Sequence, residues 1–428
     1  MNPEKKQYLV PMIIIGALFF IFGFVTWVNG TLIPYLKIAC QLETDFQSFL
    51  VATAFFIAYT VMALPASVVL AKVGYKRGMS LGLLIMAVGA LVFIPAANTR
   101  NYNLFLVGLF IIGTGLALLQ TASNPYVSII GPIESAATRI SIMGICNKIA
   151  GILAGLIFGY IALKDADVLE AKLKLMDAAA KEATLQELAQ RVVVPYIVIA
   201  CVLVALAIAI SFSSLPDLKE EDDSPDVGTK KSAGRTSVFQ YKHLLLGVIA
   251  LFAYVGVEVM AGDTIISYGK SVGIELSRAR FFTQFTLAGM LVGYVVGIFT
   301  IPKIISQSAA LRICAILGIL FTLLAVSTSG LVSVAFIAAL GLANSLMWPA
   351  IFPLAIDGLG KFTKIGSALL VMAISGGAVL PLIYGKLLEV VGSREAYWIM
   401  VPCYLYILYF ATRGYKVGKV APVVSAAP

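Results

Sequence analysis

Two runs decide the reading of this chain: Gly113-Thr-Gly-Leu-Ala-Leu-Leu-Gln-Thr-Ala-Ser-Asn-Pro-Tyr126 and, after a short link, Arg139-Ile-Ser-Ile-Met-Gly-Ile-Cys-Asn-Lys-Ile-Ala-Gly151. Both lie within long apolar stretches of the kind that cross a membrane. Inside them sit Gln120, Asn124, Asn147 and Lys148. A polar side chain in hydrocarbon is costly unless it faces a bundle interior or a water-filled cavity. These residues therefore predict a polar cavity between helices, whose other walls the rest of the chain must supply.

The bulk composition agrees. Of 428 residues, 60% are hydrophobic and 12% charged, and the mean hydropathy is +0.97. Soluble domains carry about 25% charged residues. A span needs about 20 apolar residues, so the length accommodates about a dozen. The net charge of +9 lies in loops between apolar runs. It reads as topology and not as a nucleic-acid surface. Five cysteines show no paired spacing and there is one histidine, His243. No disulfide framework, metal-ligand cluster, paired carboxylates or nucleophile–base pair is read, so the chain is not expected to be an enzyme. Residues 1–7 are basic, but the apolar run that follows is too long for a cleaved signal.

Spans are expected at about 9–36, 46–71, 79–97, 102–127, 137–163 and 192–214. A second set follows at about 242–268, 278–304, 310–329, 331–356, 365–391 and 397–413. Pro125 is expected to end or kink the fourth. Residues 164–191, rich in Ala, Leu, Lys and Glu, predict a short surface helix. The expected architecture is an all-α membrane protein with 12 transmembrane helices in two six-helix halves. Its units are 1–215 (with the outer loop 164–191), a polar linker 216–241, and 242–428. Lys and Arg in the short loops favour N- and C-termini in the cytoplasm. Lys270, Arg278 and Arg280, in the loop after span 7, depart from that bias.

Each polar residue in the spans has a packing alternative. Asn29 could bridge helices or hydrogen-bond a ligand hydroxyl. Trp27 could face lipid or present a flat ring to a sugar. Gln120 and Asn124 are four apart and share a helix face. Asn147 and Lys148 diverge by roughly 100°, which places both at the edges of any cavity. Lys148 needs a partner, with Glu258 and Asp263 in span 7 as candidates. The pair could lock the halves together or contact substrate. Glu258 could load and release a proton or coordinate sodium, and Asp263 could be a mouth residue. Asn344 and Trp348, four apart in span 10, are read as one face, with Pro349 and Pro353 breaking or bending the helix; Asn344 is the expected ligand contact from the second half. Ser375 to Pro381 reads as close helix packing. Lys76 and Arg77 in a tight turn, with Glu134 and Arg139, are read as conformational latches on the cytoplasmic side, or as simple basic loops.

Four segments carry a resemblance: Phe19 to Pro34 with its Trp-Val-Asn-Gly core, Leu119 to Tyr126 with Gly131-Pro132, Tyr254-Val-Gly-Val-Glu258, and Asn344 to Phe352. Over about 9–413 the sequence resembles the fucose and glucose/galactose permeases of the major facilitator superfamily. The resemblance implies alternating access and inward symport of a monosaccharide with a cation. It places Asn29, Asn147 and Trp348 at the family's sugar cavity. Proton-coupled members carry an aspartate where this chain has Gly30 and a glutamate where it has Gln120. Coupling through Glu258 or Asp263, sodium coupling, or facilitated diffusion is thus left open. The expected function is import of glucose/galactose or N-acetylglucosamine across the cytoplasmic (inner) membrane. The partners expected are a monosaccharide and the lipid bilayer, without nucleic acid, and a monomer as the working unit. No cofactor is expected beyond co-transported H+ or Na+. The alternatives are a fucose-type carrier, a sugar uniporter, an efflux carrier, or a non-transporting sensor, which would need a signalling domain not read in the sequence.

Overall fold

The computed structural model describes residues 3–129, 136–213, 236–301 and 304–418. Among them regular structure is helical throughout. Hydrocarbon supplies no hydrogen-bond partners, so a spanning backbone must satisfy itself, and a helix does so within one segment. Among the described residues eleven stretches are long and apolar enough to cross a membrane. The twelfth traverse, Met400–Thr412, begins with a 3-10 turn, Glu395–Ile399, which leaves its α-helical part short. Side chains such as Val61, Val88, Ile208 and Val292 are more than half exposed and form the belt that faces lipid.

In the first half the spans are Pro3–Trp27 with Asn29–Ala39, then Asp45–Val73, Tyr75–Thr99, Tyr102–Ile129, Ala136–Leu163 and Val193–Phe212. Thr44 starts the second with a capping box: its side chain accepts from Gln47 N at 3.1 Å. The turn into the third is made at Gly74, whose φ of 80° favours glycine. The fourth helix continues past residue 125 to Ile129, so Pro125 does not end it. The single surface helix expected at 164–191 is two helices, Ala166–Leu173 and Ala178–Gln190. They are tied down by Arg191, which donates to both oxygens of Asp165 at 2.5 and 2.8 Å. That guanidinium holds the Asp165 carboxyl below its ordinary range.

The second half repeats the plan: Lys242–Asp263 with Ile265–Ser271, Leu276–Ala279 leading into Phe282–Thr300, Gln307–Ser327, Gly330–Asn344 with Met347–Ile356, and Thr363–Met372 continuing through a 3-10 turn into Gly376–Val391. The break in the tenth span has a chemical cause. Proline clashes with the carbonyl four residues back, and for Pro349 that residue is Ser345, where the chain turns out of the helix.

The halves meet along two seams: span 2 packs on span 11, and span 5 on span 8. Glycines allow the approach. A Cβ at Gly385 would lie 2.7 Å from the Phe49 ring and 3.2 Å from Phe46 Cα. The packing role read for Ser375 to Pro381 is seen at Gly377, which lies against Phe56. The end away from the termini is sealed by polar bonds between the halves. Asp167 accepts from the N–H groups of Leu276 and Ser277, both at 2.9 Å. Glu170 pairs with Lys270, Arg280 donates to Gly159 O at 3.1 Å, and Phe46 N donates to Glu389 at 3.3 Å.

Candidate functional site: a cavity between the halves

A cavity lies between the halves, from mid-depth toward the end that carries the termini; with its solvent-open mouth included it holds about 1030 Å³ of empty space. Gln120, Asn124, Asn147, Lys148 and Trp27 line it from the first half, and Glu258, Tyr254, Tyr294 and Trp348 from the second.

Lys148, Glu258, Trp27 and Asn147 form one connected set in it. Lys148 Nζ lies 2.8 Å from Glu258 Oε1, so the ion pair bridges the halves. The same ammonium sits 4.3 Å from the centre of the Trp27 ring. Such a cation–π contact contributes about 0.5–1 kcal/mol when exposed and about 2 or more when desolvated. Trp27 Nε1 donates to Asn147 Oδ1 at 3.3 Å, and Asn147 Nδ2 donates to Phe19 O at 3.4 Å. Gln120 donates to the Tyr59 hydroxyl at 3.0 Å. On the opposite wall Trp348 stacks on Phe352, centroids 5.8 Å apart and planes 22° from parallel. A wall of amides and an ion pair facing an aromatic plate suits a ligand with hydroxyls on its edges and apolar faces.

Three predicted contacts lie elsewhere. Asn344 is 1% exposed, and its Oδ1 accepts from Tyr404 OH at 2.9 Å, away from the cavity. The four-residue spacing to Trp348 presumes a continuous helix, and the turn at Ser345 and Leu346 resets the phase. Asn29 is fully buried and does not line the cavity. It follows Val28, where the helix tightens for one turn without breaking: the Val28 carbonyl takes the N–H groups of both Thr31 and Leu32. Asp263 is no mouth residue. It is 1% exposed and packs at the junction of spans 1, 7 and 8. A Cβ at Gly30, the position where the resemblance led to an aspartate, would lie 3.2 Å from Asp263 Oδ1. The departure at position 30 thus places a glycine against a carboxylate from the other half.

The expected latches do not join the halves through the bonds seen. Lys76 donates to Ser213 O at 2.6 Å and Arg139 to Val127 O at 2.9 Å, both within the first half. Arg77 is exposed. Glu134 lies outside the described residues. The lining residues missed in the sequence are apolar or aromatic, and the aromatic ones are Phe19, Phe22, Phe56, Tyr59, Tyr254, Tyr294 and Phe352. Two carried a signal, since Tyr254 is four residues before Glu258 and Phe352 four after Trp348.

A two-half bundle of this kind, with its cavity at the interface and one end sealed, defines a membrane carrier. The profile of the Major Facilitator Superfamily matches residues 15–381, and the chain belongs to that family. It is 36% identical over 416 residues to the glucose/galactose transporter of Brucella abortus biovar 1 (strain 9-941), covering 96% of each chain. It is 30% identical to the L-fucose-proton symporter of Escherichia coli K12, covering 95% of this chain and 94% of that one. The crystal structure of the Major Facilitator Superfamily transporter FucP in the outward conformation is similar with a TM-score of 0.74 and 29% identity, over 95% of this chain and 98% of that one.

Proposed function

We propose that this protein imports a monosaccharide, glucose/galactose or N-acetylglucosamine, by alternating access, coupled to a cation. The observation that carries the reading is the Lys148–Glu258 pair, set among amides on one wall and facing Trp348 on the other. The names of the relatives at 36% and 30% identity support a sugar as cargo. Sugar hydroxyls would take up the hydrogen bonds of Gln120, Asn124 and Asn147, and a ring face would lie on Trp348. With the termini in the cytoplasm of an inner membrane, as the basic loops suggest, the sealed end faces outward and the cavity faces inward. Rocking of the halves about the cavity then exposes it to the other side. Lys148, Glu258 and Asp263 are the charges available for coupling, and one chain supplies the whole cavity.

The deciding experiment is uptake into proteoliposomes of labelled glucose, galactose, fucose and N-acetylglucosamine under a proton gradient, a sodium gradient and neither. Accumulation of one sugar under one gradient is expected. Equilibration without accumulation would mean a uniporter, and no uptake of any of the four would overturn the sugar reading.

A further inference from the structure

Glu258 has a cation beside it, and Asp263 has none so close. Asp263 Oδ1 is buried without a hydrogen-bond partner, and both amide atoms of Asn29, next to Gly30, are likewise unpartnered. Asp263 is 1% exposed and Asn29 fully buried. Around Gly30, three oxygens from the second half converge. A point one Cβ bond from Gly30 lies 3.2 Å from Asp263 Oδ1 and 3.3 Å from both Gly262 O and Thr283 Oγ1. Thr283 Oγ1 also donates to Gly262 O at 2.7 Å, which fixes that carbonyl. The cluster sits against span 1 one turn beyond Trp27, where helix Lys242–Asp263 ends. Trp27 closes it off from the cavity, its ring packed on Gly262.

The charges add up to one missing cation. Among the described residues, the charges that bear on Asp263 are Glu258 on its own helix and Lys148 from span 5. Thr283 and Asn29, from spans 8 and 1, are neutral. Lys148 is spent on Glu258 at 2.8 Å. The buried group therefore carries one negative charge in excess, and a lone buried carboxylate is costly unless neutralised or paired. A carboxylate and carbonyl oxygens gathered at the C-terminal end of a helix are among the groups with which carriers hold a coupling ion.

We propose that Asp263, with Thr283, the Gly262 carbonyl and Asn29, is the site of one monovalent cation, a proton or a sodium ion, taken up with the substrate. The inference rests on cation-coupled transport as proposed above and divides the labour of the two carboxylates. Asp263 carries the ion, and Glu258 stays with Lys148 at the substrate cavity. Trp27, which touches Gly262 on one side and Lys148 on the other, connects the two.

The test uses the full-length protein in proteoliposomes. Wild type is compared with Asp263→Asn for gradient-driven accumulation, for sugar counterflow exchange, and for sugar-induced proton or 22Na+ flux. Asp263→Asn is expected to keep exchange, lose accumulation and lose the ion flux. Loss of proton flux names the proton, and loss of 22Na+ flux names sodium. Asp263→Asn that still accumulates sugar overturns the site. A wild type that shows no accumulation and no ion flux overturns cation coupling itself, a separate failure. Should Asp263→Asn not reach the membrane, Asp263→Glu keeps the charge and moves it. Its half-saturating cation concentration should shift by about tenfold, as when the surroundings of an ion are disturbed. An unchanged value overturns the proposal.

Discussion

Lys148 and Glu258, 110 residues apart in the chain, face each other across the interface at 2.8 Å with side chains 7% and 11% exposed. Removing one member of such a pair leaves an uncompensated buried charge and costs about 3–5 kcal/mol, whereas replacing both by apolar residues can be neutral. Lys148→Met and Glu258→Met should each lower the apparent melting temperature in detergent. The double variant should recover most of the loss while remaining unable to exchange sugar. Single and double variants of equal stability would show that the pair does not bind the halves together.

Trp348 and Asn344 should separate in function as they do in space. Trp348→Ala removes the plate of the second-half wall and should raise the KM for uptake by about tenfold or more, equivalent to about 1.4 kcal/mol. Asn344→Ala removes the acceptor of Tyr404 OH and should cost about 1–3 kcal/mol of stability with KM unchanged. A KM defect in Asn344→Ala at full stability would return it to the binding site.

Gly385 is the place to wedge the sealed end. A larger residue there meets the Phe49 ring and the Phe46 backbone. Gly385→Leu should hold the end away from the termini open. In a background with the native cysteines replaced, Val259→Cys in the cavity should then react with an impermeant thiol reagent added from that side. Protection equal to that without the wedge would show that the seam tolerates the added bulk.

Acid should loosen the same seam. Burial raises the Asp167 carboxyl, but the N–H groups of Ser277 and Leu276 outweigh it and hold it below its ordinary range. A carboxyl lowered in the sealed state contributes stability that is complete above the ordinary value of about 3.9. That contribution is lost as pH falls through the lower value. Distance measurements between labels on either side of the seam should show opening only below about pH 4. In Asp167→Asn the acid dependence should be weaker, the remainder belonging to Glu170 and Glu389 at the same end.

Hydropathy made the spans legible, because length and composition alone decide whether a helix crosses a membrane. The facing of polar side chains was legible only where a helix runs unbroken. Gln120 with Asn124, and Lys148 with Glu258, follow from position in intact helices. Asn344 does not, because the turn at Ser345 and Leu346, which Pro349 signals, changes the phase on either side. Asn29 does not, because which face of span 1 meets the other half is not written in its own sequence. The position of Asp263 depends on which helix of the other half packs beside it, and no local pattern records that. Pro125 shows the reverse case, a breaker in the sequence that leaves its helix running.

The two short helices Ala166–Leu173 and Ala178–Gln190 belong to the first half in sequence but grip both halves. Glu182 holds Arg100 of the first half, while Asp167 and Glu170 hold Leu276, Ser277 and Lys270 of the second. They form a strap over the sealed mouth, set apart from the hydrocarbon. A binder raised against this strap would meet its epitope in water and need not cross the bilayer. By clamping the strap in place it would arrest the carrier with the mouth shut, which makes this surface a handle for inhibition that leaves the sugar pocket untouched.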